Sequence, residues 1–306
     1  MESLEWVGQS LNLPSCPYKY RTRILTTEQH VPSSAGPLAH ATLIAADPAP
    51  LLAAYAAFGL APTSDRPVPA AVAQAWGRPA LAGRRLLELA APGSATLLRV
   101  LVVPGAVPRP TRFSHGWLAL EILVRDVDAL EAPARAAGFE VVGAPADLEM
   151  SPNLRAMQLV GPVGEMLYLT QVKAPVPPFD LPLSSHLPPA CALGPLFIAV
   201  MSTPSRAAAL AACVPLRPVS TLQFETKVTV LNRALGRPLA TRWPLATVAL
   251  AGQCLFEIDE VQHAAVQPPA DPGELPGGLA WISLHGEGEP ALHELSPGAW
   301  VEFLGV

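Results

Sequence analysis

An imidazole, a carboxylate and a phenol stand among apolar neighbours in three stretches of this 306-residue chain: His40 in LAHATLIAAD, Glu121 in WLALEILV and Tyr168 in MLYLTQV. A carboxylate and an imidazole in partly dry surroundings are candidates for general acid and base, because burial raises a carboxyl pKa towards neutrality. Tyr168 is placed to donate a hydrogen bond to a developing oxyanion. Arg99, in TLLRVLVV, carries the fork that clamps a substrate carboxylate bidentately. Better-defined signatures are missing. There is no G-x-S-x-G elbow, no Walker loop and no G-x-G-x-x-G after a strand. His285-Gly286-Glu287 lacks the P-C-x-x-C partner of a zinc deaminase.

The elements that must position these groups recur along the chain. Leu154 to Val172 reads as a β-hairpin turning at Gly161-Pro162-Val163-Gly164. Ahead of it, Trp117 to Val124 reads as a strand, Asp126 as a helix cap and Gly138 as the helix stop. The same order appears from Leu38: a strand, Asp47-Pro48 as cap and first helical residue, a helix over Leu51 to Phe58 stopped by Gly59, and apolar runs Arg84 to Ala91 and Ala95 to Val103. A third unit starts at Leu193, with Thr203-Pro204 as cap, a helix over Ser205 to Cys213 and closing strands Ala246 to Leu250 and Cys254 to Val261. Residues 278 to 306 make a truncated fourth, with strands Leu279 to Leu284 and Trp300 to Leu304. The expected partition is an N-terminal arm over 1–36, a two-unit domain over 37–173, a Pro-rich linker over 174–192 and a second half over 193–306.

Composition bounds the class of function. Hydrophobic residues are 50% and charged residues 15% of the chain, which is globular. The net charge of −5 and the lack of a long basic run argue against nucleic acid and anionic membranes as partners. No apolar run approaches the roughly 20 residues of a membrane span, and MESLEWVGQS is not signal-like, so the expected location is the cytoplasm. Cys16, Cys191, Cys213 and Cys254 are scattered and read as reduced thiols. The 36 prolines, the Ala and Arg bias and the scarcity of lysine match a high-GC bacterial genome.

The order of βαβββ units, each first strand closing on a capping residue, and the final G-P-x-G-x-x-x-Y hairpin resemble the vicinal oxygen chelate superfamily of glyoxalases, bleomycin-resistance proteins and extradiol dioxygenases. The resemblance implies an α+β fold of tandem βαβββ modules forming cupped mixed sheets in two paired halves. It also implies a divalent metal held by His and Glu at the first and last strand of each unit. Those positions read His40, Arg99, Ala119 and Tyr168 in the first two units, with Pro195, Trp281, Glu257 (or Phe256) and Glu302 in the second pair. One imidazole, one cation, a methyl group and a phenol do not make a divalent site. No cofactor is therefore expected. If a metal binds at all, His40, His115 and Glu121 are the ligands.

Strand alternation then places His40, Arg99, His115, Trp117, Glu121, Met166, Tyr168 and Thr170 on one concave face. The expectation is an enzyme acting on a small organic acid, acyl or aromatic metabolite by acid-base chemistry, an isomerase or lyase. Catalysis would fall to His40, Glu121 and Tyr168, and substrate binding to Arg99, His115, Trp117, Met166 and Thr170. A metal-dependent extradiol-type dioxygenase or glyoxalase-like lyase is one alternative, and a non-catalytic small-molecule binding or resistance protein is another. Plainer readings also stand: Arg99 paired with Glu121, His40 as an ordinary strand histidine, Tyr168 as a packed aromatic, Glu257 and Glu302 solvated near strand ends. Four units permit a monomer as well as a homodimer.

Overall fold

A computed structural model describes residues 34–262, 277–286 and 290–305. Residues 1–33, most of the expected arm, lie outside it. Unit one comprises β1 (Leu38–Ala45), α1 (Ala49–Ala56), β2 (Ala61–Pro67), α2 (Ala70–Ala75), β3 (Arg85–Ala90) and β4 (Leu98–Val102). Unit two comprises β5 (Gly116–Val124), α3 (Glu131–Ala136), β6 (Glu140–Leu148), β7 (Ser151–Val160) and β8 (Met166–Val172). Unit three has β9 (Leu193–Thr203), α4 (Arg206–Cys213), β10 (Ser220–Lys227), α5 (Thr229–Ala234), β11 (Arg242–Leu250) and β12 (Cys254–Glu260). Unit four has β13 (Gly278–His285), β14 (Leu292–Ser296) and β15 (Ala299–Leu304).

The capping residues act much as their positions in sequence imply. The Asp47 carboxylate accepts from the Ala49 amide at 2.9 Å, and that of Asp126 accepts from Asp128 and Ala129 at 3.1 and 3.3 Å. In unit three the cap moves two residues on: Ser205, rather than Thr203, accepts from the Ala208 amide, while the Thr203 hydroxyl accepts from the Ser205 amide.

Each unit closes by pairing its first strand in parallel with its last: β1 with β4, β5 with β8, β9 with β12 and β13 with β15. Units then join through their first strands, which run antiparallel. That joining differs from the expected partition. β1 pairs with β13 and β5 with β9, so unit one shares a seven-stranded sheet with unit four, and unit two an eight-stranded sheet with unit three. Residues 174–192 thus connect two strands of one sheet and do not divide the halves. They bury Val176, Leu181 and Leu187 instead of hanging free.

One face of each sheet carries the helices α1, α3 and α4, and these two faces share a single core. Leu43 and Val100 of the first sheet, Leu120 and Leu167 of the second, Tyr55 of α1 and Cys213 of α4 all belong to it. The opposite face of each sheet is a cup with its own apolar cluster, holding Ile44, Leu101 and Trp281 in the first and Met166, Val200 and Leu255 in the second. Among the described residues no helix is long and apolar enough to cross a membrane.

Candidate functional site

The eight expected site residues do not meet in one cup. His40 and Arg99 line the first, whereas Glu121, Met166, Tyr168 and Thr170 line the second. Trp117 faces the shared core, 5.2 Å from the Phe256 ring, and its indole N–H donates to the Trp300 carbonyl at 2.7 Å. A bulge explains the reversal. The pairing of β5 with β9 steps from Trp117↔Met201 to Ala119↔Val200, so Leu118 is the extra residue and the alternation inverts there. His115 precedes β5, and its carbonyl accepts from buried Arg109, which also donates to the carbonyls of Trp117 and Leu279. His40 lines the first cup and Glu121 the second, so His40, His115 and Glu121 do not converge as a ligand set.

In the first cup the two last-strand positions bond to each other. The Arg99 guanidinium donates to the Glu302 carboxylate at 3.0 Å, where the resemblance would put a metal ion. Glu302 also accepts from Trp76 Nε1 at 2.7 Å and from the Ser283 hydroxyl. Arg99 Nε lies 3.5 Å from Glu88, itself 3.0 Å from Arg66. Arg99 is thus partnered by Glu302 and Glu88, and not by Glu121. Glu302, expected to be solvated, is 3% exposed. Trp76 comes from the excursion between β2 and β3 and packs on Trp281 at 5.1 Å, so the chain's own indole fills the centre of this cup. His40 is buried beside Arg99 and His285, and burial foremost drives its pKa down to about 2, which leaves a neutral imidazole of little basicity.

The second cup has the opposite character. Glu121 and Tyr168 are cross-strand partners on β5 and β8, and Glu257 and Asp259 share one face of β12. Glu257, not Phe256, therefore faces the cup. Burial, with Glu257 nearby, raises the Glu121 carboxyl to about 8. Burial raises Glu257 to about 7, while burial and then the charge of Glu257 push Asp259 well up. The Tyr168 phenol is raised too, by burial and then by Asp259, Glu257 and Glu121. Both Asp259 oxygens and the hydroxyls of Thr170 and Tyr168 are out of water without a hydrogen-bond partner. Over them lies the β10–β11 excursion with buried Val230 and Leu231, tied across the cup by Arg233 donating to the Val142 carbonyl and Lys227 pairing with Glu149.

The pseudo-symmetry of the β5–β9 pair sets Ala119 against Ile198, and Tyr168 against Glu257. Exposed Pro195 is not the unit-three position. Ala119, Tyr168, Ile198 and Glu257 offer one carboxylate to a metal, and His40, Arg99, Trp281 and Glu302 place a guanidinium on the carboxylate. Neither set fits a divalent ion. Among the described residues no group of three or more His, Cys, Asp and Glu side chains converges as a ligand set.

No family model and no curated protein matches this sequence. Solved structures do match. Glyoxalase I from Zea mays superposes with a TM-score of 0.50 at 12% identity, over 81% of this chain and 73% of that one. A putative dioxygenase from Bacillus subtilis superposes with a TM-score of 0.52 at 12% identity, over 83% of this chain and 71% of that one. The fold is that of the vicinal oxygen chelate superfamily. In this chain the first cup is closed by internal bonds, and among the described residues the acids buried in the second have no basic partner. Glu257 and Asp259, which sequence reasoning assigned no catalytic role, were signalled by the alternation in LFEIDE, two acids on one face of an apolar strand.

Proposed function

We propose that the chain is a metal-independent acid-base enzyme acting on a small molecule in the cup of units two and three. The observation that carries this reading is the set of buried, unpartnered oxygens of Asp259, Thr170 and Tyr168 beside a Glu121 carboxyl raised to about 8. Buried polar groups in native proteins are almost always paired, and a carboxyl that titrates near neutral pH exchanges its proton readily at working pH. Glu121 moves the proton, and Tyr168, its cross-strand neighbour, donates to the oxygen that gains charge. His40 and Arg99 lie in the other cup and serve its structure. An isomerase step that relocates a proton, or a lyase step in which a proton is removed while the β leaving group departs with its bonding electrons, uses such a group and needs no electron acceptor.

The test is to find ligands by thermal shift and follow their conversion by mass spectrometry in wild type and Glu121→Gln, with elemental analysis alongside. Retained binding with conversion slowed by about a hundredfold or more supports Glu121 as the proton carrier. Equal conversion in the variant, or activity that tracks a stoichiometric metal, contradicts it.

A further inference from the structure

The second cup lacks a feature that the first has: a fixed positive charge. The Glu121, Glu257, Asp259 and Tyr168 side chains perturb one another, and no arginine, lysine or histidine among the described residues lies close enough to perturb any of the four. β9 contributes no titratable group. Arg242 on β11 and Arg233 on α5 are exposed and donate to the carbonyls of Glu225 and Val142. Asp259 and Thr170 are fully buried, their side-chain oxygens bonded to no basic group, so the cup holds acids that can give up protons and, among the described residues, no base to take them. Around it stand Val200, Leu245, Leu255, Val230 and Leu231. Glu257 keeps part of its surface in water, which sets the open side of the cluster.

A ligand that brings donors and positive charge on an apolar body pairs with these carboxyls as they ionise. We propose that the cup of units two and three binds a small organic cation, an ammonium on an apolar frame, its N–H groups meeting Asp259, Glu257 and Glu121. The proposal rests on the reading of this cup as the working site and names the charge of what enters it. It departs from the organic acid expected from Arg99, because that guanidinium is held by Glu302 and Glu88 in the other cup. An organic anion placed among these carboxyls finds no counter-ion, and it meets like charge as soon as one of them ionises. A cation favours the ionised carboxyls, so its binding expels protons from the cup.

Three probes of one frame test this by titration calorimetry on the full chain at pH 7: benzylammonium, benzyl alcohol and benzoate. The expected result is that benzylammonium binds at least about tenfold tighter than the other two, a difference of about 1.4 kcal/mol. About one proton should leave per ligand, read from the difference in heat between buffers of unlike ionisation enthalpy. Asp259→Asn should weaken benzylammonium about tenfold while its unfolding midpoint stays at or above that of wild type. Tighter binding of benzyl alcohol or benzoate, with methyl shifts at Val200 and Leu245, overturns the charge assignment and leaves the cup as the ligand site. Binding by none of the three, or binding unchanged in Asp259→Asn, overturns both.

Discussion

The two cups of this molecule are built on the same plan and resolve the same problem in opposite ways. Each places acidic residues on the concave face of a mixed sheet and roofs them with an excursion between the second and third strands of a unit. In the first cup the roof reaches the polar centre: Trp76 donates to Glu302, and Arg99 and Ser283 complete its shell. In the second the roof is apolar and brings Asp259 no donor. A further buried carboxyl shows that the fold can satisfy such a group where structure alone is at stake. Glu165, at the end of the Gly161–Gly164 turn, accepts from the Tyr55 hydroxyl at 3.0 Å and from the Val163 amide at 2.9 Å, joining unit one to unit two. On the function proposed for the second cup, a buried carboxyl to which the roof brings no donor serves activity at some cost to stability.

The contrast predicts opposite signs of mutational effect. Glu302→Leu, which strands Arg99 and the Trp76 indole, should destabilise the protein by about 3–5 kcal/mol in urea unfolding. A loss under 1 kcal/mol would mean that the first cup is not held by this pair. The pH dependence of stability comes next, at about 1.4 kcal/mol per pH unit for a single group. The folded pKa of Glu121, about 8, lies above its ordinary 4.5, so its contribution is full below 4.5 and lost as pH rises to 8. Glu257, raised to about 7, acts in the same direction. His40, lowered to about 2 from 6.5, contributes stability that is present above 6.5 and lost as pH falls, and so opposes the acids below 6.5. Between pH 6.5 and 8 the fall should stand unopposed and become shallower in Glu121→Gln, Glu257 and Glu165, both raised to about 7, supplying what remains; a wild-type unfolding midpoint that is level across this window contradicts the assignment.

Smaller effects sharpen the comparison. Asp259→Leu should raise stability by about 1 kcal/mol, because it removes a desolvated group that has no partner. Loss of stability instead would place Asp259 with Glu302 as a structural acid. Tyr168→Phe should change the unfolding midpoint by less than about 1 kcal/mol in the ligand-free protein, since the hydroxyl makes no bond to lose. A larger drop would show a structural hydrogen bond.

Much of the fold is legible in local chemistry. Asp47 and Asp126 do cap, Gly138 ends α3 with positive φ, and the turn at 161–164 closes β7 on β8 with Leu154 opposite Val172. Which units share a sheet is not local, because β1 meets β13 across more than 200 residues and nothing in either strand names its partner. The 174–192 stretch reads as a linker from its prolines, yet its spaced Val176, Leu181 and Leu187 bury themselves. At the site, Glu121, Met166, Tyr168 and Thr170 share a face as strand alternation implies. Trp117 does not, because a single bulge at Leu118 shifts it and no residue type announces a bulge. His40 and Arg99 were grouped with the wrong strands by the unit pairing alone.

The account rests on the second cup holding carboxyls that keep their protons near neutral pH, and side-chain carboxyl carbon NMR across a pH titration measures this directly. Two glutamates, assigned through Glu121→Gln and Glu257→Gln, should titrate near 8 and 7. Titration of both in the ordinary range near 4.5 would show solvated side chains and would contradict the second cup as a buried acid site.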